Sequence, residues 1–423
     1  MEIEKCDKTI LLITKNYPFV TMNAPAENYL INEIKYLAKR VKRIYIFAVD
    51  SLREDKVTVE LPRNVIAINI ADNKWIRKIK IALYTLMYFL VKSETDDECG
   101  RNVKRTIKKA YFMGKSDYYY KCIYNRFVQK SKLNANDNLI VYTFWFYTYT
   151  RTAILLKKIL PENVKIITRA HRYDLYSEQN SLNYIPLRIY MLENVDYVLP
   201  CSEDGSNYLK NKYPDYADKI RTAYLGSEDY GVARAGHEGQ FTIVSCSRVE
   251  PVKRIKLIAE AIKRIRLQNI NTDVRWIHIG DGSQLNTIKK LSEELIEDGS
   301  IKFQGAMDNA KVMEFYKTHK IDLFVNVSES EGLPISIMEA ISVGIPVLAT
   351  DVGGVKEIID TGNGWLVSKD ISVNELAKKI VDISKLDYKC LYEKRKASRE
   401  KWEKHFNIGN NVAQLYEEIT DRE

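Results

Sequence analysis

The feature that most constrains the fold of this chain is a pair of apolar runs on either side of a short amphipathic segment. Residues 321–327 (IDLFVNV) and 345–349 (IPVLA) are short, apolar and rich in β-branched side chains, which indicates buried parallel strands. The segment between them has apolar residues at helical spacing, and Ser328 or Ser330 is predicted to cap its start. Pro334 suits the first helical turn, where a backbone N–H is not needed. The sequence therefore predicts a strand–loop–helix–strand unit of the α/β class.

Two glutamates belong to this unit, Glu331 in the loop and Glu339 inside the helix, with seven residues between them. Glu339 has apolar neighbours in sequence, so we expect it to face the mouth of the sheet. A buried carboxylate needs a hydrogen-bond partner, and the hydroxyl groups of a sugar or a ribose would serve. The alternative is a solvated helix glutamate, since pairs at this spacing also occur by chance. Gly332 and the helix start behind it favour a bound anion, because glycine permits close backbone approach and helix N-termini attract negative charge.

The same residues resemble the signature of retaining glycosyltransferase family 4, which has the GT-B fold and includes enzymes that build polysaccharides and glycoconjugates. The residues that carry the resemblance are Glu331-Gly332-Leu333-Pro334, Glu339-Ala340, Gly344-Ile345-Pro346-Val347 and Gly353-Gly354. The resemblance implies an α/β protein of two Rossmann-like domains that face a deep interdomain cleft. It also implies a C-terminal helix that crosses back to the first domain.

Length and composition allow such an architecture. The chain has 423 residues, which is enough for two domains with a core each, and 45% of them are apolar and 29% charged. Its six cysteines are scattered without a Cys-x-x-Cys pair, and no secretory signal is recognisable. We therefore expect a reducing, cytoplasmic location, with peripheral attachment to the inner face of the membrane as a further expectation.

Several classes of chemistry lack their sequence signatures. The five histidines are far apart and do not have the spacing of metal ligands. No Asp-x-Asp occurs, which disfavours the metal-chelating glycosyltransferases of the other major fold. No Gly-x-Gly-x-x-Gly follows a predicted strand and no Gly-x-x-x-x-Gly-Lys occurs, which disfavours nicotinamide oxidoreductases and kinase-type enzymes. We expect neither a metal ion nor a cofactor.

The first half of the chain, residues 1–226, is predicted to be a Rossmann-like domain that binds the acceptor. Its apolar runs alternate with helical segments, as in a parallel α/β sheet. Asn23 lies in the loop after the first strand, where the family normally has glycines, and it is assigned to the acceptor side. The predicted strands are residues 9–14, 43–49, 65–70, 138–143, 165–169, 197–200 and 219–225.

Residues 74–132 form a basic and aromatic helical segment within this domain. They include an apolar run, residues 81–91, that is too short to span a bilayer, and a stretch rich in Lys, Arg and Tyr, residues 101–132. This composition suits the surface of an anionic membrane. The alternative is an ordinary helical hairpin that packs on the domain. The formal net charge is +9, but no nucleic-acid-binding module accompanies it, so nucleic acid is not an expected partner.

A histidine follows one of the predicted strands of this domain. Residues 170–176 (AHRYDLY) come after the strand at 165–169, and ligands bind at the carboxyl ends of strands in open α/β sheets. The pattern resembles that of many polymer-building members of the family. By that resemblance His171 would face the donor sugar, and Asp174 would line the same cleft on the acceptor side. A purely structural role for the histidine is the alternative.

The second half is predicted to be the nucleotide-sugar-binding domain, residues 241–406, between a polar linker at 227–240 and a crossover helix within 407–423. Arg248 follows its first strand and Lys253 is predicted to begin the next helix, so both can face one crevice. A guanidinium and an ammonium group together could neutralise a diphosphate without a metal. Their positions also match an arginine–lysine pair of the family.

The remaining donor-side residues lie in turns after predicted strands. Gly280 and Gly282 flank a turn where the backbone can pass close to a ligand, and by the resemblance Gln304 would lie beside the nucleotide base. The residues assigned to donor binding are Arg248, Lys253, Gly280, Gly282, Gln304, Glu331, Gly332, Leu333, Pro334 and Glu339, and those assigned to catalysis are His171, Arg248, Lys253 and Glu331.

These features predict a retaining, metal-independent glycosyltransferase. It would move a hexose or related sugar from a nucleotide-diphosphate sugar, UDP favoured over GDP, to a hydroxyl of a glycan or lipid-linked glycan in cell-surface polysaccharide or glycoconjugate biosynthesis. Leaving-group charge is the barrier, so positioned positive charge is the natural catalyst. By the resemblance Glu331 would bind hydroxyls of the transferred sugar and Glu339 the ribose, which disfavours a glycosidase with paired carboxylates. The alternatives are a nucleotide-sugar epimerase of GT-B fold and a catalytically silent nucleotide-sugar-binding subunit.

Overall fold

The computed structural model describes residues 6–20, 29–53, 55–57, 59–90, 96–129, 138–234, 239–268 and 273–420. They divide into two units, Met1–Ala223 with Val412–Glu423, and Tyr224–Asn411. Parallel strands alternate with helices in each unit, so the predicted α/β class of two Rossmann-like domains is confirmed.

The elements of the first unit follow the apolar runs of the sequence. Its strands are β1 (Cys6–Thr14), β2 (Phe19–Val20), β3 (Val41–Ala48), β4 (Lys56–Val57), β5 (Val65–Ile68), β6 (Asn138–Thr143), β7 (Lys165–Ala170) and β8 (Tyr197–Pro200). Its helices are α1 (Tyr29–Leu37), α2 (Lys74–Leu90), α3 (Val103–Ile123), α4 (Thr148–Lys157), α5 (Arg172–Leu175), α6 (Arg188–Asn194) and α7 (Glu203–Lys212).

The sheet of the first unit is parallel and has the strand order β5–β3–β1–β6–β7–β8. Ile10 of β1 pairs in register with Ile44 of β3 and Ile140 of β6, and all three side chains are buried. Buried strands of this kind read as continuous apolar runs, because a parallel sheet is covered on both faces. The strand order turns back between β1 and β6, which is where such sheets open a crevice at their carboxyl edge.

The aromatic side chains of α3 belong largely to the core of the first unit. Phe112, Tyr118 and Tyr119 are buried, and the ring of Tyr119 stacks on Tyr149 of α4 with centroids 5.9 Å apart. These side chains are therefore unavailable to a membrane surface, and for this part of α3 the packed-hairpin alternative holds. In the described ranges no helix is long and apolar enough to cross a bilayer.

One predicted strand of the first unit does not form. Residues 219–225 run beside β8 with two backbone hydrogen bonds, from Arg221 to Val198 and from Ala223 to Pro200, but pair only as an isolated bridge. The side chain of Arg169 donates to the carbonyl of Ala223 at 2.6 Å and so replaces a ladder partner. The chain from Val412 onward also belongs to this unit, where Lys8 donates to the carbonyl of Thr420 at 3.0 Å.

The second unit has the same kind of alternation. Its strands are β9 (Phe241–Cys246), β10 (Val274–Ile279), β11 (Ile301–Phe303), β12 (Leu323–Asn326), β13 (Val347–Thr350) and β14 (Gly364–Val367). The helices that follow are α8 (Ile255–Leu267), α9 (Leu285–Leu291), α10 (Glu293–Glu297), α11 (Asn309–Thr318), α12 (Ile335–Ser342), α13 (Val355–Ile358), α14 (Val373–Ser384), α15 (Tyr388–His405) and α16 (Ile408–Thr420), the last of which ends in the first unit.

The second sheet is also parallel, in the order β11–β10–β9–β12–β13–β14. Ile243 of β9 pairs with Trp276 of β10 and Leu323 of β12, and these three residues are fully buried. The strand order turns back between β9 and β12. The loops that follow these two strands are therefore the expected walls of a ligand site.

Candidate functional site

Most of the predicted donor-side residues lie in loops at the carboxyl edge of the second sheet, and Glu339 lies on helix α12. β9 is followed by residues 247–254, β10 by residues 280–284 and β12 by residues 327–334. The backbone N–H of Glu329 donates to the carbonyl of Val252 at 2.8 Å, which ties the first of these loops to the third. The fold thus brings together segments that are about eighty positions apart in sequence.

Lys253 and Glu331 form an ion pair between these two loops. Nζ of Lys253 lies 2.6 Å from Oε1 of Glu331, and their side chains are 22% and 9% exposed. The side-chain amide of Asn326, at the end of β12, donates to the same carboxylate oxygen at 3.4 Å. A largely enclosed ion pair at the open edge of a parallel sheet places one cation and one hydrogen-bond acceptor where a polar ligand would bind.

Lys253 was predicted to begin a helix, but it lies in the turn before α8. Pro251–Lys253 forms a 3₁₀ turn, and α8 begins at Ile255. Arg254 between them adopts the left-handed conformation with φ of 51°, and its guanidinium donates to the carbonyl of Ile371 at 3.2 Å. Arg254 ties this turn to the chain before α14, which positions the ammonium group of Lys253 for its contact with Glu331.

Arg248 opens the same loop and is exposed. It forms no ion pair within the part of the chain that the structure describes. The pKa of the nearby Glu250 carboxyl lies below its usual range, first because Ser283 donates hydrogen bonds to it and also because Arg248 is close. The structure does not bring Arg248 into contact with the Lys253–Glu331 pair, but it leaves the guanidinium donors on the same loop accessible to an anion.

Gly280 and Gly282 let the turn after β10 pack against the Arg248 loop. A Cβ at Gly280 would lie 1.9 Å from the carbonyl oxygen of Ser247, and one at Gly282 would lie 2.6 Å from that of Val249. The φ of +145° at Gly280 also favours glycine. Backbone packing accounts for both glycines, and their contact with a donor stays a prediction.

The loop that carries Glu331 is held in place by the glycines after β13. The N–H of Gly354 donates to the carbonyl of Gly332 at 2.8 Å, and a Cβ at Gly353 would lie 2.2 Å from the carbonyl oxygen of Glu331. Leu333 is buried beneath the loop. The glycine pair of the family signature is thus explained by close backbone packing on the glutamate loop.

Helix α12 begins at Ile335, so Pro334 is the residue just before the helix and not part of its first turn, where it had been predicted. The predicted caps Ser328 and Ser330 lie too far upstream, so that expectation is wrong. The carbonyl of Ser328 instead accepts a hydrogen bond from Thr350 Oγ1 at 2.6 Å. The backbone N–H of Gln304 donates to the backbone carbonyl of His278 at 2.9 Å, which fixes its loop beside the turn after β10. A contact of Gln304 with the base stays a prediction.

Glu339 lies on α12 in surroundings that disfavour its charge. Burial raises the pKa of Glu339 to about 7, and a hydrogen bond from the Asn309 side chain opposes the shift. Burial likewise raises the pKa of the Cys246 thiol to about 12, and the Glu339 charge adds to it. A carboxylate in such a place gains from hydroxyl donors. Asn309 is a site residue that sequence reasoning missed, since no motif marks its approach from α11, 30 positions away.

His171, in the first unit, is held as a neutral imidazole. Its ring packs against Phe144 and Trp145, with ring centroids 4.6 and 4.7 Å apart. Burial lowers the pKa of His171 to about 3, and the nearby charge of Arg169 adds to the effect. The side chain can therefore donate or accept a hydrogen bond at neutral pH but does not supply positive charge.

Asp174 caps a helix and does not line a cleft. Its Oδ1 accepts from the N–H of His171 at 2.6 Å, its Oδ2 accepts from the N–H of Phe146, and the residue is fully buried. Burial raises the pKa of Asp174 to about 7 despite these bonds. The prediction for Asp174 is corrected to a positioning role, because α5 starts here and its N–H groups need acceptors. Asn23, the other acceptor-side residue, lies outside the described residues.

A buried ionic network next to His171 was not predicted. A guanidinium nitrogen of Arg169 lies 3.0 Å from a carboxylate oxygen of Glu33, and Tyr142 donates to Glu33 at 2.6 Å. Tyr142 and Glu33 are 109 positions apart, so no local pattern could have found the pairing. The network holds the end of β7, from which His171 projects. Within the described ranges, no group of three or more His, Cys, Asp or Glu side chains could hold a metal ion.

Sequence comparison relates this chain to sugar-transferring proteins. The family profile described as "Glycosyl transferases group 1" matches residues 232–405, which include Lys253, Glu331 and Glu339. The glycosyltransferase WcaL of Salmonella typhimurium, assigned to colanic acid biosynthesis, is 25% identical over 282 residues that cover 63% of this chain and 68% of WcaL. The O-antigen biosynthesis glycosyltransferase WbnH of Escherichia coli is 36% identical over 128 residues, which cover 30% of this chain and 33% of WbnH.

Structural comparison extends over almost the whole chain. HepE of Anabaena in complex with UDP has a TM-score of 0.62 and 16% identity, and the match covers 98% of this chain and 100% of HepE. At this identity the likeness bears on the fold alone.

Proposed function

We propose that this chain is a group 1 glycosyltransferase of the GT-B fold that transfers a sugar from a nucleotide-diphosphate sugar to a hydroxyl group, with retention of configuration and without a metal ion. We also propose that it acts in the biosynthesis of a cell-surface polysaccharide, which the names of its relatives WcaL and WbnH support. The observation that carries the proposed reaction is the ion pair of Lys253 and Glu331 at the carboxyl edge of the second sheet.

Lys253 and Arg248 are proposed to bind the diphosphate. Bond breaking leaves negative charge on the departing nucleotide, and two fixed cations lower the free energy of that state. The planar guanidinium of Arg248 can donate hydrogen bonds to two phosphate oxygens at once, while the ammonium group of Lys253 acts as a point charge. The accessible guanidinium of Arg248 and the low exposure of Lys253 support this assignment.

Glu331 is proposed to bind hydroxyl groups of the transferred sugar. One carboxylate oxygen contacts Lys253 and Asn326, and a carboxylate can accept more hydrogen bonds than these two. In the unliganded protein Glu331 neutralises Lys253. When the diphosphate takes over that neutralising role, the carboxylate becomes available to the sugar. The pair therefore links phosphate binding to sugar binding.

Glu339 is proposed to accept hydrogen bonds from the ribose hydroxyls, with Gln304 near the base. The raised pKa of Glu339, at about 7, supports the assignment, since hydroxyl donors are what a poorly solvated carboxylate lacks. We propose UDP as the preferred nucleotide, in keeping with the UDP bound to the structurally similar HepE. The acceptor is proposed to be a hydroxyl of a glycan or of a lipid-linked glycan.

His171 is proposed to hydrogen-bond the donor sugar as a neutral group. Its low pKa, at about 3, supports this role, because the imidazole adds no charge that would repel a developing oxocarbenium ion. Asp174 holds the backbone N–H of His171 and so fixes its position. We assign no covalent nucleophile.

Substitution of the two cations tests this reaction. Lys253→Ala and Arg248→Ala should each lower kcat/KM by about 10²-fold or more, since a lost contact to leaving-group charge costs roughly 2–4 kcal/mol. Lys256→Ala is the matched control. Lys256 comes three residues after Lys253, lies on α8, and forms an exposed ion pair with Glu260 at 3.4 Å. Near-normal rates in Lys253→Ala and Arg248→Ala would exclude the diphosphate assignment.

The same assay separates the alternative functions. A transferase releases UDP in proportion to an added acceptor. A nucleotide-sugar epimerase would convert the donor without acceptor, and a silent subunit would bind the nucleotide sugar but neither transfer nor hydrolyse it. Either of the last two results would contradict the proposed transfer.

A further inference from the structure

Helix α2 turns an apolar face to solvent. Trp75 is 73% exposed, and Leu83 and Leu86 are 58% exposed each. Their helical spacing places them on one side of α2. The large apolar side chains on this exposed face, called the α2 face below, are Trp75, Ile76, Ile79, Leu83, Leu86, Met87 and Phe89.

The side of α2 that packs on the protein is more polar than the α2 face. Arg77 donates to the carbonyl of Asp50 at 2.9 Å, and the hydroxyl of Tyr88 donates to Asp117. An ordinary surface helix buries its apolar stripe and exposes its charges. Helix α2 exposes its apolar stripe instead, so its sequence is matched to a partner outside the first unit, as large exposed apolar patches generally are.

The charges around the α2 face indicate the chemistry of that partner. Residues 74–90 contain four cations and no acidic residue. Lys74 and Lys78 flank the exposed apolar residues and form no ion pair within the described ranges. A second copy seated on the same face would bring these positive charges together, because a two-fold interface pairs a surface with itself. Anionic lipid headgroups neutralise them while the apolar side chains enter the acyl region.

A recess of about 480 Å³ lies along the edge of the α2 face. Leu86 and Phe89 of α2 and Tyr111 of α3 form its apolar wall, and Lys78 lies at its rim. Lys115 also lines it, paired with Asp50 at 3.2 Å. An apolar wall beside an ammonium group suits an acyl chain below an anionic headgroup.

We propose that the α2 face docks flat on an anionic lipid bilayer, with Trp75, Leu83 and Leu86 inserted at the level of the headgroups. Tyr118 and Tyr119 of α3 do not contribute, because they are packed in the core. This attachment does not depend on the proposed transfer reaction, so either can fail without the other.

Vesicle flotation of the full chain tests the docking. The wild type should float with vesicles that contain phosphatidylglycerol and not with pure phosphatidylcholine. Leu83→Gln/Leu86→Gln should lower the partition coefficient by about tenfold or more, since each removes an inserted apolar group. The matched control is Leu267→Gln/Leu291→Gln, at leucines that are 69% and 51% exposed on the second unit, and it should float like the wild type. The midpoint of thermal unfolding, followed by circular dichroism, should be the same in all three proteins, which verifies that they are folded.

Two further measurements make the result decisive. The fluorescence of Trp75 should shift to the blue with anionic vesicles, and the shift should be absent in Trp75→Phe. Equal flotation of the wild type and Leu83→Gln/Leu86→Gln, flotation with neither vesicle, or no shift of Trp75 would overturn the proposal. A change from dimer to monomer in Leu83→Gln/Leu86→Gln, measured by light scattering, would identify the α2 face as an interface between copies and would also overturn it.

Discussion

At the scale of single residues, Glu331 has two roles that substitution can separate. It neutralises Lys253 at 2.6 Å in the unliganded protein, and it is proposed to bind the transferred sugar. Glu331→Gln should keep or strengthen UDP binding, because the ammonium group of Lys253 no longer has a competing carboxylate. Sugar transfer should fall by about 10²-fold, because the charged acceptor for the sugar hydroxyls is lost. Calorimetric titration with UDP and initial rates of transfer measure the two effects.

Glu329→Gln is the matched control for this experiment. Glu329 is exposed two residues earlier in the same loop, so both UDP affinity and transfer rate should stay near wild type. Loss of UDP binding in Glu331→Gln, with Glu329→Gln unaffected, would mean that Glu331 binds the nucleotide itself and not the sugar.

Glu339 gives the site a pH dependence near neutrality. Its pKa is about 7 in the unliganded protein, and the carboxylate form is the better acceptor for two ribose hydroxyls. Affinity for a UDP-sugar should therefore rise as pH increases through about 7 and level off above it. A UDP-sugar is the suitable ligand, because its diphosphate diester does not titrate in this range. In Glu339→Gln the affinity should be weaker and independent of pH, and a slope that persisted would assign the titration to another group.

The same carboxyl group affects the stability of the unliganded protein in the opposite direction. Its folded-state pKa of about 7 lies above the ordinary 4.5, so the folded protein holds the proton more tightly than the unfolded chain. The contribution to the free energy of unfolding is fully present below about pH 4.5 and is lost as pH rises through about 7. Urea unfolding of the wild type and of Glu339→Gln across this range measures it: the wild type should lose stability relative to the variant as pH rises. A wild type that gained stability relative to Glu339→Gln with rising pH would contradict the assignment.

At the scale of elements, the turn after β10 depends on close backbone packing. Gly280→Ala places a Cβ 1.9 Å from the carbonyl oxygen of Ser247, so the Arg248 loop must move. We expect a loss of about 2–4 kcal/mol in the free energy of unfolding together with weaker UDP binding. Gly299→Ala is the control, since φ is +79° there but nothing lies within 4 Å, and it should cost only about 1–2 kcal/mol. Equal losses of stability in Gly280→Ala and Gly299→Ala, measured by thermal unfolding, would contradict the role of close packing at Gly280.

Buried strands and the helices between them were predictable because their signals are local. The apolar runs at β1, β6 and β12 predicted the strand positions to within a few residues. The strand predicted at residues 219–225 failed because Arg169, far away in sequence, takes one of its carbonyls. The sequence likewise indicated a basic and aromatic helical segment at residues 74–132, but not which side of α2 packs on the protein. The packed side is determined by contacts between helices, such as the hydrogen bond from Tyr88 of α2 to Asp117 of α3.

Within the site, residues that belong to a local sequence motif were predictable, and residues placed only by tertiary contacts were not. The motif residues Lys253 and Glu331 were found from local sequence, and the fold brings them into contact. Asp174 was misassigned, because a short carboxylate after a strand suits a ligand site and a helix cap equally well. Asn309 and the Arg169–Glu33 pair carry no local signal and are defined only by tertiary packing.

At the scale of the whole molecule, each unit has a hydrophobic core of its own. The proposed UDP contacts all lie within Tyr224–Asn411. UDP should therefore slow amide exchange in residues 247–254, 280–284 and 327–334, since binding stabilises the conformation that binds. Exchange in β1 and β6 of the first unit should be unchanged and serves as the internal control. Hydrogen-exchange mass spectrometry with and without UDP measures this, and protection confined to the first unit would contradict the assignment.

The central claim is that a diphosphate binds at the carboxyl edge of the second sheet, and a crystal structure of the UDP complex tests it most directly. The account predicts diphosphate oxygens within hydrogen-bonding distance of Lys253 Nζ and of the Arg248 guanidinium, with the ribose on Glu339. UDP bound on another surface, or bound here with neither cation in contact with phosphate, would contradict it.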